Sequence, residues 1–523
     1  MAFAALPNLL AAATGVFAHL AVFRAGEWDV ASPSIFVFYV TVFAAAGLSS
    51  YTHIIGAPLG AVAQFFGCHV AALYTSMLLY RGFFHRLSEY PGPFAARFTN
   101  FYITGLSMKK LQLFDEVQKL HAQYGDYVRL GPRELSISDP EAVKAIYSSQ
   151  SPVTKGPWYT LLEPRVPLFM ARDKQEHARR RKGYDPRITT AINQLLAAID
   201  RQKNQPLDIA QWFAFFVFDV MEDLAFNKSS NMLLDGKEGH IFKTIRTDMY
   251  NIALFTHMPW LLPFLKRTPV LNRNYHEFLD WIQRLIDERI KAKPEQPDIF
   301  SPILGAYNKS AKTVQEQRNF HGDAQLIVIA GSESVAAALT HIFFHLAWDP
   351  TLTRRLQGEF DALPSLAHEN LMTVAHLDAV INEAMRLHPP VPSGTQRVTP
   401  SEGLWIGERH IPGDTIVQVP SYTVFRDARA FVQPDEFIPE RWTTRPELVR
   451  DKSVYIPFNT GPYACVGKRL AMLELRRVVA EILWRYDLTM APGQTQEAFL
   501  DGKQDTFTTV SAALPVIFTE RIR

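Results

Sequence analysis

The sequence predicts a mainly α-helical domain with a small β region, carried behind an N-terminal segment that belongs in a membrane. Three observations point there. Long apolar stretches fill the first eighty residues. Most of the chain beyond them spaces its apolar residues with helical periodicity, in segments that end at glycine or proline. Only 127–138 and 404–420 read as short strands divided by turn pairs.

The apolar stretches run over 2–23, 34–48 and 54–80. A helix needs about 20 apolar residues to cross a bilayer, so the first and third suffice and the second, extendable either way, is borderline. The first reads as a span rather than a signal peptide, because no Lys or Arg precedes it. Arg24 lies in the first connection, and Arg81, Arg86 and Arg97 follow the third stretch. The positive-inside rule then gives three spans, a lumenal N-terminus and a cytosolic body after residue 81; two spans with a cytosolic N-terminus is the alternative. Tyr90-Pro91-Gly92-Pro93 cannot continue a helix and marks a hinge between an anchor, 1–90, and a body, 91–523.

With 47% hydrophobic residues the body can build a large core, and a net charge of +2 gives no global signal for nucleic-acid binding. The two cysteines, Cys68 and Cys465, are too few for a disulfide framework or a zinc site of several thiolates. In order, helices are expected over 111–124, 176–183, 190–203, 208–226, 275–291, 319–348, 374–387 and 468–486, with a hairpin of 127–130 and 135–138 about Gly131-Pro132. Strands within 404–420 turn at Gly413-Asp414. The stretch 324–347 is apolar enough for a fourth span, but Glu333, Ser334, His341 and His345 interrupt it. A charge at mid-bilayer is costly, so this is expected to be a buried helix crossing the core.

The strongest chemical signal is Pro457-Phe458-Asn459-Thr460-Gly461-Pro462-Tyr463-Ala464-Cys465-Val466-Gly467-Lys468. A turn-rich loop delivers one cysteine to the start of a helix, where the dipole and free N–H groups favour a thiolate. Gly461 and Gly467 allow positive φ or close backbone approach, and Phe458 would cover one side of the sulfur. Elsewhere, Glu383-Ala384-Met385-Arg386 puts an acid and an arginine on one helix face. The same spacing recurs at Glu176/Arg179, Glu447/Arg450 and Glu474/Arg477, read as solvated surface pairs.

The cysteine loop resembles the cytochrome P-450 signature F-x-x-G-x-R-x-C-x-G at Phe458, Gly461, Cys465 and Gly467. Tyr463 departs from it, standing where the family usually has a basic residue for a haem propionate. The features Glu383/Arg386, Leu387-His388-Pro389-Pro390, Pro439-Glu440-Arg441-Trp442 and the cysteine loop follow the family's order. The resemblance covers about 91–523 and implies the cytochrome P-450 fold. It is similar to fungal membrane-bound monooxygenases of secondary metabolism.

The resemblance further implies haem b with Cys465 as the iron ligand, and Phe458 and Gly461 beside it. Arg181, His177 and Arg397 would hold the propionates. It implies that Glu383, Arg386 and Arg441 form a buried, fold-holding triad. Ala330-Gly331-Ser332-Glu333-Ser334 is similar to the family's oxygen-side helix pattern, so Glu333 and Ser334 would relay protons, with Ser334 in place of the usual Thr.

The implied activity is insertion of one oxygen atom of O2 into an apolar organic substrate, by hydroxylation or epoxidation. The alternatives are a haem-thiolate isomerase or dehydratase and a membrane haem sensor. No Walker or G-x-G-x-x-G pattern is present, so electrons from NADPH are expected through a separate partner, NADPH–cytochrome P-450 reductase. Arg179, Arg180, Lys182, Lys468, Arg476 and Arg477 could form its basic dock. The implied location is the endoplasmic reticulum membrane, with the catalytic body cytosolic. Pocket walls are expected from 152–172, 208–226, 325–330, 390–396 and 506–510, holding Trp158, Tyr159, Phe169, Phe213 and Phe216. The run 255–265, with Met258, Trp260, Leu261, Leu262 and Phe264, is read as dipping into the membrane surface.

Overall fold

In this computed structural model, residues 2–161, 163–167, 170, 188–292 and 299–522 are described. The N-terminal apolar stretches form three helices. The first, Ala2–Phe17, continues as a π-helical turn, Ala18–Phe23. The second is Ser32–Tyr51, using the room for extension that the sequence leaves at both ends, and the third, Leu59–Leu79, continues through Tyr80–Phe84. Each is long and apolar enough to cross a membrane.

The first and third helices touch at Gly15. A Cβ there would stand 2.3 Å from the His69 carbonyl oxygen, so only glycine permits the approach. Hydrogen bonds between Thr14 and His69 (2.9 Å) and between His19 and Ser76 (2.7 Å) tie the same pair. The second helix packs on the third, with the Phe43 and Phe66 rings at 5.2 Å, and also touches the body. Ser32 Oγ donates to the Trp260 carbonyl at 2.6 Å, and the Phe36 and Phe264 rings meet edge to face at 5.9 Å.

The body is built around one helix, Val314–Trp348. It starts five residues before the expected 319, because Thr313 and Glu316 close a capping box that apolar periodicity does not register. Every residue from Val335 to Phe344 is buried. As expected of a core helix, it packs against Ile209–Phe226, Ala375–Leu387 and Lys468–Arg485. The two histidines that interrupt its apolar run meet a third. His341 stacks on His388 at 4.4 Å, and His345 Nε2 lies 3.0 Å from His388 Nε2.

Beside this helical layer stands a five-stranded sheet. Tyr127–Gly131 pairs antiparallel with Glu134–Ile137, the expected hairpin. Glu134–Ile137 runs parallel to Ile416–Gln418, which pairs antiparallel with Arg397–Val398, and that strand with Thr154–Lys155. A second sheet joins Pro206–Asp208, Pro515–Glu520 and Tyr486–Met490. Two small hairpins complete the β structure: Leu404–Ile406 with Arg409–Ile411, and Gln504–Thr506 with Thr508–Val510.

The helices Phe101–Lys110, Pro140–Tyr147, His240–Phe255, Phe300–Asn308 and Pro350–Asp361 were not expected from the sequence pattern. Four of them span ten or fewer or twelve residues, too short for a firm 3.6-residue pattern. The expected helix 176–183 lies outside the described residues.

Candidate active site

The cysteine loop closes on itself and docks on the sheet. The Cys465 amide donates to the Phe458 carbonyl at 2.8 Å. Gly461 has φ +68°, and a Cβ on it would stand 2.6 Å from the Tyr147 carbonyl oxygen, so the loop can pass there only with glycine. Asn459 Nδ2 donates to Thr395 Oγ1 at 3.2 Å, joining the loop to the segment before Arg397. Gly467 precedes the helix Lys468–Arg485; a Cβ on it would lie 3.8 Å from Cys465 Sγ, its nearest neighbour. The Phe458 ring packs against the main core, and Cys465 itself is exposed.

Within the Ala330–Ser334 pattern, the residue of the central helix that borders open space is Ala330. Gly331 faces the helix Ile209–Phe226, where a Cβ would come within 2.5 Å of the Met221 thioether. The neighbouring Ala330 is the one exposed residue between Asn319 and Trp348, so the open side belongs to Ala330. Ser334 Oγ donates to the Ala330 carbonyl one turn back at 3.0 Å. Glu333 is bridged by Thr508, whose hydroxyl donates to its carboxylate at 2.5 Å. Burial raises the Glu333 carboxyl above its ordinary range, and the Thr508 bond offsets part of that.

Thr508 follows the tip of the C-terminal hairpin, where Phe507 has φ +81° and stacks on Trp158 at 4.5 Å. No local signal ties residue 508 to residue 333. Only a cluster of threonines after an acid, Asp505-Thr506-Phe507-Thr508-Thr509, marks the hairpin as unusual.

Arg397 is buried on its strand. It donates to the Tyr159 hydroxyl at 3.2 Å and to the Gln396 carbonyl at 2.9 Å, and its Cζ lies 5.0 Å and 5.1 Å from the Tyr147 and Tyr463 ring centroids. Its Nε has no hydrogen-bond partner, and among the described residues no carboxylate pairs with it. A buried guanidinium in that state calls for an anionic ligand. With a sulfur donor that suits iron, and a glycine beside that sulfur, these residues fit the iron porphyrin the resemblance implies. His177 and Arg181 lie outside the described residues, as do Arg179, Arg180 and Lys182 of the expected dock. Two other members of that dock are already paired. Arg476 grips Asp378 with bonds of 2.7 and 2.8 Å, and Arg477 bonds Glu481 at 3.0 Å, so that face is less basic than its sequence reads.

The triad implied by the resemblance is assembled and sealed. Glu383 accepts two bonds from Arg386 (2.8 and 3.0 Å), one from Arg441 (2.9 Å), one from Trp442 Nε1 (2.9 Å) and one from the Ile438 amide (2.9 Å). Glu383, Arg386 and Arg441 are all fully buried, and the arginines spend their remaining N–H groups on backbone carbonyls. The other copies of the spacing behave differently. Glu447 pairs with Arg445 rather than Arg450. Glu474 is not a surface group at all: it is buried, because the helix that carries it is packed on that side too. The Glu176/Arg179 copy lies outside the described residues.

The pocket walls need correction as well. Phe213 and Phe216 are fully buried in the main core, Phe213 against Phe343 at 4.9 Å, so they line nothing. Phe169 lies outside the described residues. Trp158 does line a small cavity, together with Ala253, His257, Gln396, Asp505 and Phe507. Its polar side carries two buried titratable groups: burial lowers His257 to about 4, which keeps it neutral, and raises Asp505 to about 6. The 255–265 run is neither wholly core nor freely exposed: Met258 is buried, while Trp260 and Phe264 meet the second apolar helix.

Comparison with known proteins agrees with this geometry. A model of the family described as Cytochrome P450 matches residues 91–515. A protein of Eupenicillium brefeldianum described as "Cytochrome P450 monooxygenase orf5" is 50% identical over 465 residues, covering 87% of this chain and 95% of the relative. A "Tryprostatin B 6-hydroxylase" of Neosartorya fischeri is 33% identical over 474 residues, covering 87% of this chain and 86% of the relative. Among solved structures, "Retinoic acid bound cyanobacterial CYP120A1" superposes with a TM-score of 0.64 at 20% identity, over 78% of this chain and 94% of that one, a likeness of fold.

Proposed function

The chain belongs to the cytochrome P450 family and is a monooxygenase; from that premise we propose that it hydroxylates or epoxidises a lipophilic small molecule in fungal secondary metabolism. The observation that carries the reading is the pairing of two exposed positions: Cys465 at the mouth of its helix, and Ala330 on the central helix. Haem ligated by a cysteine thiolate supplies the activation of dioxygen. Cys465 holds the metal, and Phe458 and Gly461 shape its loop. Arg397, with His177 and Arg181, takes the carboxylates. Glu333 is the acid that would carry a proton: burial raises its carboxyl, and the Thr508 hydroxyl fixes its orientation. Ser334 stands one residue on, its hydroxyl able to leave the Ala330 carbonyl when a better acceptor arrives.

The hydroxylase among the relatives favours hydroxylation over epoxidation. The small cavity beside Trp158 and Phe507 supports a substrate portion that meets aromatic faces on one side and polar groups, His257 and Asp505 among them, on the other. The three apolar helices support anchoring in the endoplasmic reticulum membrane, with the body on the cytosolic side and NADPH–cytochrome P-450 reductase as electron donor.

The test is the reduced, carbon-monoxide difference spectrum of the full-length protein in membranes, beside Cys465→Ala. A strongly red-shifted Soret band present only with Cys465 is expected. Its absence from folded protein would end the reading. With reductase and NADPH, oxygen uptake should rise with a lipophilic substrate and drop at least tenfold in Glu333→Gln. A haem isomerase or sensor would consume no oxygen.

A further inference from the structure

Lys155 and Arg397 stand opposite each other in register on neighbouring antiparallel strands. Directly opposed residues in such a pair project to the same face, with Cβ atoms about 5 Å apart. Both side chains are buried, at 1% and 2% exposure. Like charges so placed repel, and burial removes the water that would screen them. The fold keeps both nonetheless, and surrounds them with rings. Lys155 Nζ lies 4.5 Å from the Tyr463 centroid and 5.2 Å from that of Tyr159, while Arg397 Cζ lies 5.1 Å from the Tyr463 ring on its own approach. Aromatic faces offset part of the cost of a buried cation. They do not satisfy the unbonded Nε of Arg397.

Both cations share the rings of Tyr159 and Tyr463, and Tyr463 lies two residues before Cys465, at the position where the family usually has a basic residue. Resting on the reading of Cys465 as the haem ligand, we propose that Lys155 supplies the charge that position 463 lacks, and that Lys155 and Arg397 together bind the two porphyrin carboxylates. Two cations on one sheet face match two anions on one edge of a flat ligand. Tyr463 then serves as a spacer: its ring supports the ammonium from the cysteine loop, so the cation comes from the sheet rather than from the loop itself. The repulsion between the two cations becomes an attraction once the dianion is bound, and this side chain is thereby a haem-binding group.

The test uses the full-length protein in detergent, loaded either with iron protoporphyrin IX or with its dimethyl ester, which has the same plane and no anionic carboxylates. Release into excess detergent micelles is followed by decay of the Soret band. Lys155→Gln is expected to lose iron protoporphyrin IX about tenfold faster than the unmodified chain, the loss of one charge-assisted bond, and Lys155→Arg to stay within about twofold. With the dimethyl ester, Lys155→Gln and the unmodified chain should release at equal rates.

Equal acceleration for both porphyrins would mean Lys155 only packs the site, and overturns the proposal. No acceleration for either overturns it too. The double variant Lys155→Gln/Tyr463→Arg returns the cation to the loop and should regain slow release; failure to regain it counts against the charge argument. If the unmodified chain takes up neither porphyrin, the haem reading itself falls, a result distinct from all of these.

Discussion

Glu474 is buried on the helix behind the cysteine loop, and one of its carboxyl oxygens has no hydrogen-bond partner. Burial alone raises this carboxyl to about 8. In the unfolded chain it titrates near the ordinary glutamate value, so between about pH 4.5 and pH 8 the folded state binds more protons than the unfolded one. Stability contributed here is therefore full at low pH and falls as pH rises through that window. Near pH 7 the penalty is on the order of 3 kcal/mol. Glu474→Gln is expected to raise the thermal midpoint at pH 7.5 and to flatten its fall between pH 5 and pH 8. Thermal melts across that range check it, and an unchanged slope would place the pH sensitivity elsewhere. The same scale separates glycines that look alike in the sequence: Gly461 makes way for the Tyr147 backbone and Gly331 for the Met221 side chain.

At the scale of elements, the helix Ala375–Leu387 and the 3₁₀ turn Pro439–Trp442 are joined by one carboxylate. Glu383 neutralises Arg386 and Arg441 at once, and every bond lies out of water. Removing the acid leaves two buried guanidinium groups with no counter-charge, which typically costs about 3–5 kcal/mol. Glu383→Gln keeps the shape and loses the charge, so its stability should fall by roughly that amount in urea unfolding. A loss under about 1 kcal/mol would show that backbone carbonyls alone satisfy the arginines. The C-terminal hairpin illustrates another kind of join. Its tip reaches both walls of the site, through the Phe507–Trp158 stack and the Thr508–Glu333 bond. Moving one hairpin therefore shifts the cavity wall and the orientation of the acid together.

At the scale of the molecule, the N-terminal apolar region, compatible with membrane anchoring, is tied to the rest of the chain. Its second helix carries Phe36 against Phe264 and Ser32 against Trp260, so the 255–265 run is clasped by the segment that the apolar pattern assigns to the bilayer. The cavity-lining Ala253 and His257 lie just upstream of that contact in the chain. Cysteines in place of Phe36 and Phe264, whose rings meet at 5.9 Å, should be joined by a short flexible bis-maleimide in membranes, giving a cross-linked peptide pair. Mass analysis after digestion reads it, and no linked pair would mean the anchor swings free of the body.

What the sequence determined by itself is what short covalent spacing encodes. The three apolar helices, the hairpin at 127–138, the core helix through Glu333, the loop that carries Cys465 and the Glu383/Arg386 pair were all legible, because each depends on neighbours a few residues away. The long helix was legible as a core element because a charge and two histidines broke an otherwise membrane-like run. What only the tertiary structure decided is which groups from distant parts of the chain meet. Glu474 repeats a surface spacing, yet packing on both sides of its helix buries it. Phe213 and Phe216 are apolar enough for a pocket wall, but helix rotation turns them into the core. Lys155 faces Arg397 because of strand register, and Thr508 reaches Glu333 because a hairpin folds back over more than a hundred residues. Spacing fixes direction only along one helix or strand; contacts between elements depend on how the whole core closes, and no local pattern carries that.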